Sequence, residues 1–330
     1  MICILEPKSD QALTGSFLFN KEIAAASHGK IERISLGKAD MESFREGDSL
    51  LLDSAWIYSV EAKLLSKSPQ SGFLVHSLPE KASEWKRPLS ECSVLVATSA
   101  AVAKRLQTEI PDQKIITCLP GNDMRLRSLN PQQREHDLLR LITVANIIPR
   151  KGLREAAQFL RALQLDGIDF HWYIAGQPMA DRDFNGSNDI DDEYFDDLQS
   201  LIDEYEWEDD VSFVGPLTME QQIRLYLGMD VAFFPSREED FGKVLLETAQ
   251  LGLPILTSDV GIARSLFGRE DHALILPAPL SQASLGEAKA FLQQYQGLER
   301  NIRQRRSHAL LNRSWTMAAD ELVKSMRTMN

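Results

Sequence analysis

At 330 residues the chain has room for about two domains of ordinary size. With 43% hydrophobic and 25% charged residues it has a globular composition, which excludes a collagen-like, fibrous or wholly disordered polymer. A formal net charge of −12 excludes a general electrostatic affinity for nucleic acid or anionic lipid. That charge is uneven. Residues 1–138 carry 17 basic and 18 acidic side chains, leaving 19 and 30 for residues 139–330.

Three cysteines, Cys3, Cys92 and Cys118, are too few and too scattered for a disulfide framework or a zinc ribbon, and read as small buried apolar residues. The opening MICILEPKSD lacks the basic stretch and long apolar run of a signal peptide, and no apolar run approaches the ~18 residues that span a bilayer. A cytoplasmic address is expected. The near-neutral first part leaves room for peripheral contact with the inner face of a membrane.

In chain order, short apolar runs alternate with amphipathic ones. ICIL (2–5), SLLLD (49–53), GFLVH (72–76), SVLVAT (93–98) and KIITCL (114–119) read as buried parallel strands. Helical patterns at 18–25, 55–65 and 100–109 lie between them, the last capped by Ser99. CLPGND (118–123) and SLNPQQREHD (128–137) are turn and polar chemistry, and the inter-domain linker is placed there. A second series of strands follows at 138–146, 170–176, 211–215, 231–236, 254–259 and 273–278. Its helices fall at 153–163, 194–206, 219–227, 244–251 and 285–295. The pattern predicts an α/β protein of two Rossmann-like domains facing across a cleft, 1–135 and 136–312. A final amphipathic helix within 313–330 packs back on the first domain.

The most informative stretch is VAFFPSREEDFGKVLLETAQLG (231–252). A buried strand ends at Pro235–Ser236, a polar loop follows, and a helix starts after Gly242. Glycine there lets backbone approach a ligand. The amides near Phe241, Gly242 and Lys243 fall at a helix N-terminus, where orphan N–H groups and the dipole favour an anion. Glu239 and Glu247 bracket this turn. Carboxylates accept hydrogen bonds from sugar hydroxyls while backbone N–H groups take phosphate, so the ligand suggested is a sugar, a diphosphate and a ribose in a row.

With PSREEDFGKVLLETAQLGLPILTSDVG around it, the Glu239–Glu247 pair resembles the E-x7-E signature of family 4 retaining glycosyltransferases of the GT-B fold. The resemblance implies that Glu239 contacts the donor sugar, Phe241–Gly242 approach sugar and phosphates, and Glu247 holds the ribose. VANIIPRKGL (144–153) resembles the family's segment ending in Lys-Gly, which implies that Lys151 contacts the diphosphate. YIAGQP (173–178) and VSFVGPL (211–217) resemble the next two strand-plus-Gly elements, placing Gly215 and Leu217 near the base. In the first domain, Thr14–Gly15–Ser16 resembles the Gly-containing loop facing the phosphates, and GFLVHS resembles the strand carrying a cleft histidine, His76. RSWTMAADELVKSM resembles the family's terminal helix.

There are departures from the family pattern. Asn146 stands where the family usually has Arg, with Arg150 as the available substitute. The usual DVGG turn reads Asp259–Val260–Gly261–Ile262, and the first domain is short. The resemblance implies a metal-independent, retaining hexosyltransferase that takes a UDP-, GDP- or ADP-sugar and an unidentified acceptor. Glu239, His76 and Lys151 are its candidate catalytic residues. Gly15, Asn146, Arg150, Gly215, Leu217, Phe241, Gly242, Lys243 and Glu247 complete donor binding. No cofactor and no nucleic-acid partner are expected, and glycan, glycolipid or cell-surface polysaccharide synthesis is the expected setting. Asn146 and the short first domain motivate the alternative of a catalytically impaired subunit acting as a binding or regulatory partner.

The acidic run 181–197 is separate. Asp181, Asp183, Asn185, Asp189 and Asp192 fall at calcium-loop spacing, but Asn188 stands at the usually apolar position, position 12 is Asp, and no clear helix precedes. A solvated surface insertion is the favoured reading.

Overall fold

The computed structural model describes residues 1–7, 15–36, 49–57, 70–79, 82–122, 126, 138–179, 192–268, 272–295 and 309–328. The chain forms two compact units, one built from Met1–Asp123 and Arg313–Asn330, the other mainly from Met124–Asn312.

The first unit holds six parallel strands: β1 (Ile2–Pro7), β2 (Ile31–Leu36), β3 (Ser49–Asp53), β4 (Ser71–Val75), β5 (Val94–Ala97) and β6 (Ile115–Thr117). Their order is β2-β1-β3-β4-β5-β6. Leu50–Leu52, Phe73–Val75 and Val94–Ala97 are all but inaccessible to solvent. Strands covered on both faces need continuous apolar runs, and this is why they are legible in sequence. β2 was not foreseen. It is an edge strand with a single neighbour, and of residues 31–35 only Ile31 is buried, so no apolar run marks it.

Among the described residues three helices accompany this sheet: α1 (Gly15–Ala26), α2 (Lys86–Ser90) and α3 (Ala100–Glu109). Ser99 caps α3 by accepting from the Val102 N–H at 3.0 Å. The closing helix Trp315–Arg327, capped by Ser314, belongs to this unit. It buries Trp315, Ala318, Ala319, Leu322, Val323 and Met326 in one cluster with Phe19 and Ile23 of α1. Cys3, Cys92 and Cys118 are buried. Of the foreseen helix at 55–65 the structure describes a single 3₁₀ turn, Ser54–Trp56, and residue 57, and residues 58–65 lie outside the described part.

The second unit contains β7 (Leu139–Val144), β8 (Phe170–Ala175), β9 (Val211–Phe213), β10 (Val231–Phe234), β11 (Ile255–Ser258) and β12 (Ala273–Leu276), in the order β12-β11-β10-β7-β8-β9, all parallel. Its helices are α4 (Leu153–Leu165), α5 (Asp192–Glu204), α6 (Met219–Leu227), α7 (Lys243–Leu251), α8 (Ala263–Phe267) and α9 (Leu285–Gln293). Strand alternation splits the core into two layers. Val231 and Phe233 join the cluster of α4, α5 and α9, whereas Ala232 and Phe234 join that of α6, α7 and α8. Chain order reverses between β7 and β10. In open α/β sheets, ligands bind beyond the carboxyl ends of the strands at such a reversal. Among the described residues no helix is long and apolar enough to cross a membrane.

Candidate functional site

The loops leaving β7 and β10 meet at this reversal. After β7 the chain makes a 3₁₀ turn, Pro149–Lys151, and enters α4 through Gly152. After β10 the backbone of Arg237 donates to the Arg150 carbonyl at 2.8 Å, fastening one loop to the other. The fastening brings three charged side chains together. Lys151 Nζ donates to Glu239 Oε1, and Arg150 lies 4.0 Å from Glu239 Oε2. Ser236 Oγ donates to Glu239 Oε1 at 3.0 Å. The Lys151 side chain is 15% exposed and that of Glu239 18%. Burial acts to raise the Glu239 carboxyl, but Lys151, Arg150 and the Ser236 hydroxyl outweigh it and hold it below its ordinary value. Burial lowers the Lys151 ammonium, against the attraction of Glu239. The arrangement is a largely desolvated Lys–Glu pair with a second basic side chain beside it.

Gly242 (φ +87°) begins α7, and no side chain caps that helix. α4 contrasts with it: the Tyr194 hydroxyl accepts from the Leu153 and Arg154 N–H groups at 3.0 and 3.3 Å, stopping that helix end with a phenol. The Phe241 carbonyl accepts from Ile262 N–H at 2.9 Å. A Cβ on Gly261 (φ +55°) would overlap that same carbonyl, so the one glycine kept from the family's paired turn is the one the contact requires. One turn into α7, Glu247 is 4% exposed. It accepts from Gln222 Nε2 at 2.8 Å, with Lys243 Nζ 3.4 Å away. Gln222 also donates to the Tyr226 hydroxyl at 3.0 Å.

The remaining foreseen residues lie around this cluster or in the other unit. Asn146 is half-buried in the loop after β7, between Ala145 and Ile147, whose N–H groups donate to the carbonyls of Ala175 at the end of β8 and of Gln177 just after it. Gly215 follows β9 and its carbonyl accepts from Gly176 N–H at 3.0 Å, with half-buried Leu217 two residues on. In the first unit, Gly15 is the first residue of α1. His76 follows β4, its side chain 10% exposed, with its ring 5.2 Å from that of Phe19. The calcium-spaced residues Asp181, Asp183, Asn185 and Asp189 lie outside the described part. Asp192 opens α5, its side chain outside that part too.

Sequence reading missed Ser236, Gln222, Tyr226 and Tyr194. Gln222 reaches Glu247 and Tyr194 reaches the start of α4 across long gaps in sequence, whereas Ser236, next to the strand end and three residues before Glu239, carried a local signal.

Among solved structures, the sucrose-phosphate synthase of Thermosynechococcus elongatus superposes with a TM-score of 0.75, covering 99% of this chain and 98% of that one at 16% identity. Anabaena Alr3699/HepE, solved in complex with UDP, does so with a TM-score of 0.64, covering 100% and 97% at 14% identity. Among curated proteins, a D-inositol 3-phosphate glycosyltransferase of Pseudarthrobacter chlorophenolicus is 27% identical over 182 residues, 54% of this chain and 40% of that protein. The chain thus spans less than half the length of the curated relatives it matches. The profile described as "Glycosyl transferases group 1" matches residues 127–308, more than half of the chain and all of the charged cluster above. The chain belongs to the group 1 glycosyl transferase family.

Proposed function

We propose that this protein transfers a sugar, with retention at the anomeric carbon, from a nucleoside-diphosphate sugar to a hydroxyl acceptor. The observation that carries the reading is the convergence of Lys151 and Arg150 on Glu239 at the strand-order reversal, beside the uncapped start of α7. When the C1–O bond to the β-phosphate breaks, charge develops on the diphosphate. Lys151, Arg150 and the α7 amides would hold that charge, taking the part a divalent metal plays elsewhere. Glu239 binds the donor sugar and Glu247 the ribose. The acceptor oxygen attacks C1 from the leaving-group face, and its proton passes to the departing phosphate oxygen. His76 lines the donor-sugar pocket. The names of the relatives support this reading, as does the UDP complex of a protein with the same fold.

The test is a thermal-shift screen against UDP-, GDP- and ADP-sugars, followed by Lys151→Ala, Glu247→Ala and Glu239→Ala. The first two weaken nucleoside-diphosphate binding, whereas the third lowers turnover more than affinity. Three variants that bind and turn over like the parent would refute the assignment. Asn146 favours a second reading, a binding subunit with the fold but without the activity. Release of nucleoside diphosphate from the donor in the absence of acceptor discriminates against it.

A further inference from the structure

The first sheet has its own strand-order reversal, between β1 and β3, and both strands carry a buried carboxylate near it: Glu6, 2% exposed, and Asp53, 3% exposed. Asn20 on α1, fully buried, donates Nδ2 to Glu6 Oε2 at 3.1 Å and to Asp53 Oδ2 at 2.7 Å. Its Oδ1 lies 3.0 Å from His76 Nε2, and Asp53 Oδ2 lies 3.5 Å from the same nitrogen. The far side of Glu6 is taken by Arg33 at 2.7 Å and Ser35 at 3.0 Å. The backbone of His76 is pinned separately, its N–H donating to Ser54 Oγ at 3.1 Å.

Donor and acceptor counting fixes the rest. A reversed Asn20 amide would set its carbonyl against two carboxylates, so the amide group must face them. Its oxygen then faces His76, and Nε2 meets two acceptors. Nε2 therefore carries hydrogen. No described residue hydrogen-bonds Nδ1.

We infer that Asn20 is a positioning residue: clamped between Glu6 and Asp53, it holds His76 as the Nε2–H tautomer and leaves Nδ1 as an acceptor for a hydroxyl of bound carbohydrate. The substrate part of this inference rests on the function proposed above; the tautomer part does not. The charged groups around the ring are Asp53 on β3 and, through Asn20, Glu6 on β1 with its Arg33 partner on β2. Burial lowers the imidazole pKa and outweighs the opposing charge of Asp53, which favours the neutral ring.

The experiment uses the full chain labelled with ¹⁵N-histidine, with the His76 signal among its six histidines identified by His76→Gln. Long-range ¹H–¹⁵N spectra should show the proton on Nε2 and a midpoint below 6.5. A proton on Nδ1, or a charged ring at pH 7, overturns the inference without any further variant. Asn20→Ala should give a detectable Nδ1–H population, and Asp53→Asn should lower the midpoint further. Nucleoside-diphosphate release from UDP-glucose, GDP-mannose and ADP-glucose should fall about tenfold in kcat for Asn20→Ala, while UDP affinity stays within about twofold. A folded Asn20→Ala protein with parental turnover refutes the positioning role. A parent chain that binds none of the three donors sinks the transferase reading and the substrate hydroxyl with it, and the spectrum still decides the tautomer.

Discussion

Glu239→Gln removes one charge and almost no volume from the cluster at the end of β10. Lys151 and Arg150 then remain as two largely buried cations facing a neutral amide. Breaking a buried ion pair by removing one partner costs about 3–5 kcal/mol. The side chains of Lys151, Glu239 and Arg150 are 15%, 18% and 25% exposed, which lowers the expectation to about 2–4 kcal/mol. Lys151→Met leaves Glu239 still facing Arg150 and Ser236, so its cost is about 1–3 kcal/mol. The double variant keeps Arg150 alone of the three charges and should cost less than the sum of the single variants by about 1–3 kcal/mol. Urea unfolding of all four proteins measures the cycle. Single costs that add to within about 0.5 kcal/mol would refute the claim that the two charges depend on each other. A second arm tests what the pair is for. If the proposed function holds, Glu239 competes with the diphosphate for Lys151, so saturating UDP, GDP or ADP should raise the melting temperature of Glu239→Gln more than that of the parent. An equal shift refutes the competition.

Gly261→Ala should destabilise the second unit by about 2–4 kcal/mol, because a Cβ there meets the Phe241 carbonyl and φ is +55°. Gly29→Ala, with φ +81° and nothing within 4 Å, isolates the conformational cost at about 1 kcal/mol, and the comparison is read from denaturant midpoints. Tyr194→Phe deletes the hydroxyl that accepts from the first two N–H groups of α4, so it should cost about 1 kcal/mol in the same assay. His76, with its folded pKa below the ordinary 6.5, contributes stability that is fully present above that value and declines as pH falls from 6.5 to the folded pKa. His76→Gln should flatten the melting temperature across that window. Glu239, held below 4.5, contributes stability that is lost as pH falls from 4.5 toward its folded value, so Glu239→Gln should be less sensitive there than the parent.

Sequence alone determined the α/β class, the two βα series and nearly every buried strand. A strand covered on both faces must be continuously apolar, and Leu50–Leu52, Val94–Ala97 and Val231–Phe234 are. It also picked out the candidate-site loop after β10, because Phe241–Gly242 and the two flanking glutamates are local in the chain. What it did not carry is whatever depends on strand order. Lys151 and Glu239 are 88 positions apart, and no periodicity joins them. Only the crossover that lays β7 against β10 sets their loops side by side. The same is true of Glu6, Asn20, Asp53 and His76, whose polar groups look unremarkable at strand and helix positions until β1, β3 and β4 are aligned and their carboxyl ends share one edge. Hydrophobic patterning records which residues leave water. Which polar groups they carry in with them, and against what partner, is settled by tertiary contact, since a buried hydrogen bond needs its donor and acceptor within about 3 Å whatever their separation along the chain.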